Sequence, residues 1–265
     1  MVAMLSLYRK ELITSLVSRE LTSRYKGSSL GVLWSIITPI FMAIIYAFFF
    51  RLIAGVRAPV ESIVIGVFAW QFTAVSVSSG MNCITGNANL IKKVAFPRSS
   101  LPVAVILAGM IDYLISLIIQ VVIVSVFLYQ TGAHIPLTVI LIPAVLIWHA
   151  VFNLSLALIL SACNVYFRDT QHLVNVLLSA FFFLSPAMYD LGFVQERVGG
   201  HAWVMDAYML NPLAVIITWY RKLMLPDVGF EWTITAIIGL LLPVIMLGFS
   251  AWLFKRMQRN FADYV

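Results

Sequence analysis

The chain has 265 residues, 62% of them hydrophobic and only 11% charged, with a mean hydropathy of +0.99. That balance excludes a soluble globular protein and defines an integral membrane protein. Its net charge of +6 reads as membrane topology and contact with anionic lipid, not as a nucleic-acid footprint. Apolar runs of about 18 to 25 residues can cross a hydrocarbon layer about 30 Å thick as helices. Six such runs are present, at 30–53, 60–83, 101–128, 137–163, 172–189 and 232–254. They are continuous instead of alternating, so the fold is all-α and not a β-barrel. The polar remainder is too short for a soluble domain, which leaves 1–265 as a single transmembrane domain.

Lysine and arginine in short loops stay on the cytoplasmic side. With the N-terminus inside, the inner segments hold Arg9, Lys10, Arg19, Arg24, Lys26, Lys92, Lys93, Arg98, Arg168, Lys255, Arg256 and Arg259, and the outer segments hold Arg51, Arg57, Arg197, Arg221 and Lys222. Both termini are therefore expected in the cytoplasm. Cys83 and Cys163 fall at inner helix ends, where a reducing compartment disfavours a disulfide. The start of the chain has no basic region, short apolar core and small-residue cleavage site of a removable signal peptide.

Residues 4–24 are too polar to span, yet Leu5, Tyr8, Leu12 and Leu16 recur at helical spacing, which predicts a helix lying along the inner interface. Arg24, Lys26, two glycines and Trp34 lead from it into the first span, where Pro39 predicts a kink. Trp34, Phe41 and Phe48 recur every seven residues and so share one helix stripe. Such a stripe packs against lipid or a neighbouring helix, or it lines a pore, where rings stack on the C–H faces of a sugar chain. The second span ends in small polar residues that suit a turn. A short basic island follows, in which Asn87, Leu90, Lys92 and Lys93 precede Phe96, Pro97 and Arg98. The lysines alone would be orientation anchors, but Leu90 and Phe96 are apolar residues that a solvated loop does not need, and Phe96-Pro97 stops the helix.

Asp112 sits about 16 Å along the third span at 1.5 Å per residue. An acid at that depth is a functional candidate by default. Asn153 lies at similar depth in the fourth span and His149 one turn further out, so the three read first as a buried hydrogen-bonded clamp. A proton or ion relay is the weaker reading, because Asp112 shows no second buried carboxylate or arginine partner. Tyr166, Arg168 and Asp169 form the next inner turn. The fifth span contains Phe181, Phe182 and Phe183 and stops at Ser185-Pro186, short for a full crossing. From Ala187 to Glu231, Pro212 and Pro226 break moderately apolar pieces that suit re-entrant or interfacial helices on the outer face, and this stretch holds Tyr189, Trp203, Tyr208, Trp219 and Tyr220. The last span returns to Lys255-Arg256.

No Gly-x-x-x-x-Gly-Lys-Ser/Thr phosphate loop is present, so the chain is not expected to hydrolyse ATP itself. The histidines and cysteines lack metal-ligand spacing, and no acidic loop pair suggests a glycosyltransferase or hydrolase. The chain reads as a non-enzyme with no cofactor of its own.

Five fragments in order, Arg24-Tyr-Lys-Gly-Ser-Ser-Leu-Gly-Val-Leu-Trp34 with Pro39, Leu90-Ile-Lys-Lys-Val-Ala-Phe-Pro-Arg98, Asn164-Val-Tyr-Phe-Arg-Asp169, Ser185-Pro186 before Tyr189, and Asn211-Pro212 before Tyr220-Arg221, resemble the membrane subunit of type-2 ABC exporters of polysaccharide. The resemblance runs nearly end to end and leans toward the O-antigen permeases over those of capsule or teichoic acid. It implies a half-transporter in the bacterial cytoplasmic (inner) membrane: two copies of the chain form one pore, and two copies of a separate ATPase subunit, which holds the ATP and magnesium, bind below. The implied cargo is an undecaprenyl-pyrophosphate-linked polysaccharide. By the same resemblance, residues 87–98 form the main coupling helix and Tyr166, Arg168 and Asp169 a second ATPase contact. The first, second and fifth spans line the channel, with Trp34, Phe41, Phe48 and Phe181 to Phe183 as cargo contacts. The helices holding Tyr189, Trp203, Tyr208, Trp219 and Tyr220 form the outer gate. Where the family usually has an aromatic residue before Phe-Pro-Arg, this chain has Ala95. Export of capsule or teichoic polymer, drug or lipid is the alternative within this reading; a membrane-embedded glycosyltransferase lacks acidic loop residues, and an ion-coupled carrier has only Asp112 in its favour.

Overall fold

A computed structural model describes residues 2–49, 59–197, 202–226, 228–230 and 232–264. The secondary structure is helical, with no strand among the described residues. Helix α1 (Val2–Tyr25) leads through a tight bend and a short 3-10 turn into α2 (Trp34–Phe48), which holds Pro39 in its interior. Gly27 and Gly31 in that bend have φ of 79° and 51°, a region that L side chains avoid. Then come α3 (Val60–Asn82), the six-residue α4 (Ala88–Lys93), α5 (Ser100–Gln130), α6 (Ile142–Tyr166) and α7 (Thr170–Phe183). Three short helices, α8 (Leu191–Arg197), α9 (Ala202–Met209) and α10 (Pro212–Met224), precede α11 (Ile234–Met257) and a terminal turn, α12 (Phe261–Tyr264).

Among the described residues, five helical stretches are long and apolar enough to cross a membrane: Gly31–Phe48, Val60–Asn82, Ser100–Gln130, Leu137–Tyr166 and Ile234–Asn260. They match five of the six expected spans. The expected fifth span, 172–189, is the 14-residue α7, because Ser185-Pro186 cannot continue the helix and the chain turns there. The expected helix over 4–24 forms as part of α1, with Leu16 buried and Leu12 and Val17 packed beside it. The expected first-span end at Ile53, together with Arg51 and Arg57, lies outside the described residues, as do the side chains of Leu5, Tyr8, Arg9 and Arg197.

Helix α3 is the axis of the bundle: over its most apolar 18 residues 72% are buried, against at most 33% over the same length of any other span. It is flanked by α2, α5, α6, α7 and α10, while α11 packs along α6 and α1 along α5. Small residues let the backbones close up, as at Gly80, where an added Cβ would lie 2.6 Å from that of Ala157. The main core is apolar, and a second apolar cluster gathers one end of α1, α3, α5, α6 and α11 around α4 and the C-terminal turn. We call this the basic end, since Lys92, Lys93, Arg98, Lys255 and Arg256 all lie on it. The opposite end is closed by α8 to α10.

At that opposite end the two proline motifs meet. Asn211 caps α10 by accepting from the Leu213 amide at 3.0 Å, and its side-chain nitrogen donates to the Leu184 carbonyl (3.1 Å) and Ser185 Oγ (3.0 Å). Ser185 to Met188 are buried against α3, where Gly66 leaves room for the Ala187 carbonyl. Arg221, one of the expected outer-loop cations, is instead an interior residue at 1% exposure. Its Nε and one terminal nitrogen donate to the Ser62 carbonyl at 3.1 and 3.0 Å. Burial pulls its pKa down to about 10 while the charge of Asp190 opposes that, so it stays cationic at neutral pH.

Candidate functional site

At the basic end, α4 is held by its one buried face. Ile91 is buried, and Leu90 and Phe96 pack partly into the second cluster beside Leu16, Leu101 and Phe254. Lys92, Lys93, Val94, Ala95 and Pro97 face outward. The turn before α4 is fixed from two sides: Arg19 of α1 donates to Asn87 Oδ1, and Asn87 Nδ2 donates to the Cys83 carbonyl at 2.8 Å. Asn164, near the end of α6, donates to the Met81 carbonyl at 3.2 Å and to Asn82 Oδ1 at 3.3 Å, so the turn after α6 is bonded to the end of α3. In that turn Phe167, Arg168 and Asp169 are exposed. An open groove of about 400 Å³ runs along Arg19, Asn87, Asn89, Leu90 and Lys93. Arg98 and Tyr166 behave differently from the rest of the expected coupling set: both turn toward the C-terminal segment, with Arg98 donating to the Gln258 carbonyl and Tyr166 to the Met257 carbonyl at 2.7 Å.

Along the bundle side, α2, α3 and α7 surround an open groove of about 330 Å³ lined by Met42, Tyr46, Trp70, Gln71, Leu178 and Phe183, among others. The stripe expected on α2 is there, with Trp34, Phe41 and Phe48 49%, 61% and 61% exposed. The three phenylalanines of α7 separate, because consecutive helical residues point about 100° apart. Phe183 is exposed; Phe182 is buried with ring centroids 5.2 Å from Tyr46 and 5.3 Å from Trp70; and Phe181 lies 6.3 Å from Trp70. Of the three, only Phe183 offers a free face to the groove.

The expected clamp of Asp112, Asn153 and His149 is not what forms. Asp112 accepts from Arg24 at 3.0 Å, and the same guanidinium bonds Glu20 at 3.1 Å, so α1 is pinned to α5 by an ion pair that is nearly buried on both sides. The arginine partner that the sequence did not show is therefore present, 88 residues away. His149 instead pairs with Thr73 at 2.7 Å inside a ring cluster, edge-on to Phe72 at 4.8 Å. Asn153 is fully buried, and its amide has no hydrogen-bond partner among the described residues. Beside Asp112 a cavity of about 250 Å³ is lined by Tyr25, Trp34, Thr38, Gln71 and Ser116. Burial first, and then the charge and hydrogen bonding of Asp112, raise the Tyr25 hydroxyl to about 12, which keeps it a donor.

The aromatic residues of the opposite end split into three groups. The Tyr189 and Tyr208 hydroxyls meet at 3.2 Å; Trp219 packs with Phe230 and Trp232 at 5.5 and 5.4 Å; Trp203 stands exposed. Tyr220 does not join them, being buried against His149 and Tyr113, both at 5.9 Å. Among the described residues no three His, Cys, Asp or Glu side chains gather as a metal site.

Five long apolar helices among the described residues make this a multi-pass membrane protein. The family described as ABC-2 type transporter matches residues 11–225, and the chain belongs to that family. It is similar to the O-antigen export system permease protein RfbA of Myxococcus xanthus, with 30% identity over 260 residues covering 96% of this chain and 95% of that protein. A Klebsiella pneumoniae protein of the same name is also 30% identical, over 97% of this chain and 95% of its own length.

Proposed function

We propose that this chain is the transmembrane subunit of an ATP-driven exporter that moves a lipid-linked polysaccharide of O-antigen type from the cytoplasmic to the outer side of the bacterial inner membrane. The observation that carries this reading is the near full-length similarity to O-antigen export permeases. Two copies of the chain form the channel. ATP hydrolysis belongs to a separate ATPase subunit, two copies of which dock on the basic end; the positive-inside rule puts that end, with both termini, in the cytoplasm. Docking uses Asn87, Leu90, Lys92, Lys93, Phe96 and Pro97 around α4, with Arg168 and Asp169 in the adjacent turn. The geometry supports this division of labour, since α4 is rigidly backed yet presents its lysines and a shallow groove outward.

The cargo, an undecaprenyl-pyrophosphate-linked glycan, passes along the groove between α2, α3 and α7. Phe183 lines this groove, and Trp34, Phe41 and Phe48 stand exposed on α2 outside it as further ring faces for sugar C–H groups. Tyr189 in the turn before α8, with Trp203, Tyr208 and Trp219 on the short helices, closes its outer end.

The double reversal Lys92→Glu/Lys93→Glu tests the docking role without touching the core, since both side chains are exposed. Surface polysaccharide in cells carrying it should fall by at least about tenfold, with the chain present at wild-type level and the ATPase no longer copurifying. Normal export by this variant ends the assignment of α4 as the ATPase contact.

A further inference from the structure

After α11 the chain makes a 3-10 turn, Gln258–Asn260, and the four-residue α12. So short a terminal piece ordinarily frays. Here it is anchored: Phe261 has no exposed surface and sits edge-on to Phe254 at 5.5 Å, 6.1 Å from Tyr166, with the Arg98 guanidinium 6.0 Å above its ring. Tyr264 packs on Tyr166 at 4.7 Å. The backbone joins in, as the Met257 carbonyl accepts from Tyr166 and the Gln258 carbonyl from Arg98. Arg98 closes the loop that begins with α4, and Tyr166 opens the turn at Phe167 to Asp169. The tail thus touches both loops of the basic end through contacts separate from the Asn164 bonds, and it is covalently continuous with α11. Helix α11 alone, 24 residues to Met257, is about 36 Å long at 1.5 Å per residue and already long enough to cross the hydrocarbon, so α12 is not needed for crossing.

We infer that the C-terminal turn is a strap, with Phe261 as its positioning residue, that makes the α4 loop, the 167–169 turn and the inner end of α11 move as one body. The inference rests on the reading of the chain as the permease of an ATP-driven exporter. In that setting a push delivered at α4 by the ATPase reaches α6 and α11 through the strap. Loosening the strap leaves the ATPase bound and turning over while less of each stroke reaches the spans.

The test uses cells that lack the chromosomal copy, complemented with the full chain. Surface polysaccharide is quantified, and the permease–ATPase complex is purified for ATP turnover. If the wild-type chain fails to restore surface polysaccharide, the export reading itself falls, which separates that failure from one of the strap. With wild-type restoration in hand, Phe261→Ala should keep the ATPase bound and turnover within about twofold of wild type, while polysaccharide exported per ATP drops about tenfold. Phe261→Leu, which refills most of the volume, should recover most of that loss. Wild-type export by Phe261→Ala overturns the strap, and so does loss of ATPase binding, which would make the tail a docking element. If Phe261→Ala does not accumulate, Tyr166→Phe carries the test: it deletes only the hydroxyl that bonds the Met257 carbonyl. A smaller drop in export per ATP supports the strap, and an unchanged ratio overturns it.

Discussion

Arg24→Ala is expected to destabilise the chain by about 3 kcal/mol, because it leaves the Asp112 carboxylate buried without its cation. The two side chains are only 13% and 11% exposed, so solvent cannot replace the lost partner. Asp112→Asn should cost less, since an amide oxygen still accepts from Arg24, and the double variant Arg24→Ala/Asp112→Asn should recover about 1 to 2 kcal/mol relative to Arg24→Ala. Thermal melting of the detergent-solubilised chain reads all three. If the double variant melts no higher than Arg24→Ala alone, the pair is not coupled and α1 is held to α5 by other contacts. The loss should also show as easier proteolysis of α1, because this ion pair is a charged tie between it and α5.

Gly66→Val should do comparable damage at the other end of the bundle. Any side chain there meets the Ala187 carbonyl group and comes within 2.6 Å of the Arg221 guanidinium. Neither can retreat cheaply: Ala187 is fully buried in the turn after α7, and Arg221 is engaged with the Ser62 carbonyl. Overpacking of this kind costs about 3 kcal/mol. The readout is the melting midpoint together with the solvent accessibility of a cysteine placed at Ser185, which should rise as the turn is expelled from α3. A Gly66→Val chain that melts like wild type with Ser185→Cys still protected would mean that this junction is looser than its geometry.

What the sequence made legible follows from the range of each signal. Spans are local, and length with continuous apolarity was enough to place five of them to within a few residues. The six-residue α4 was also readable, because an asparagine-rich turn precedes it and Phe96-Pro97 closes the loop behind it. Partnerships across the fold were not. The depth of Asp112 could be counted along its helix, but nothing local connects it to Arg24, so the nearer polar residues Asn153 and His149 took its place in the reading. Arg221 stands next to Lys222 in a stretch interrupted by prolines, which looks like an outer loop; that α10 is buried nearly all round is a tertiary fact. The run Phe181 to Phe183 is unmistakable as sequence, yet three successive residues cover three directions on a helix, and only the packing of Tyr46 and Trp70 around Phe182 decides which ring stays free. The strap formed by Phe261 had no signal at all beyond an aromatic near the end of the chain.

The shortness of α7 has a bearing on the lipid around it. Fourteen residues span about 21 Å at 1.5 Å each, about 9 Å less than a typical hydrocarbon core. Leu173, Val176, Leu177 and Phe183 are exposed on it beside the polar Gln171, His172, Asn175 and Ser179, so its outward side offers acyl chains a mixed surface with a large apolar share. A bilayer bordering such a helix thins to match it. A polar headgroup crossing beside α7 would then traverse about a third less hydrocarbon than elsewhere, lowering the barrier to moving charge across the membrane before any protein group touches it.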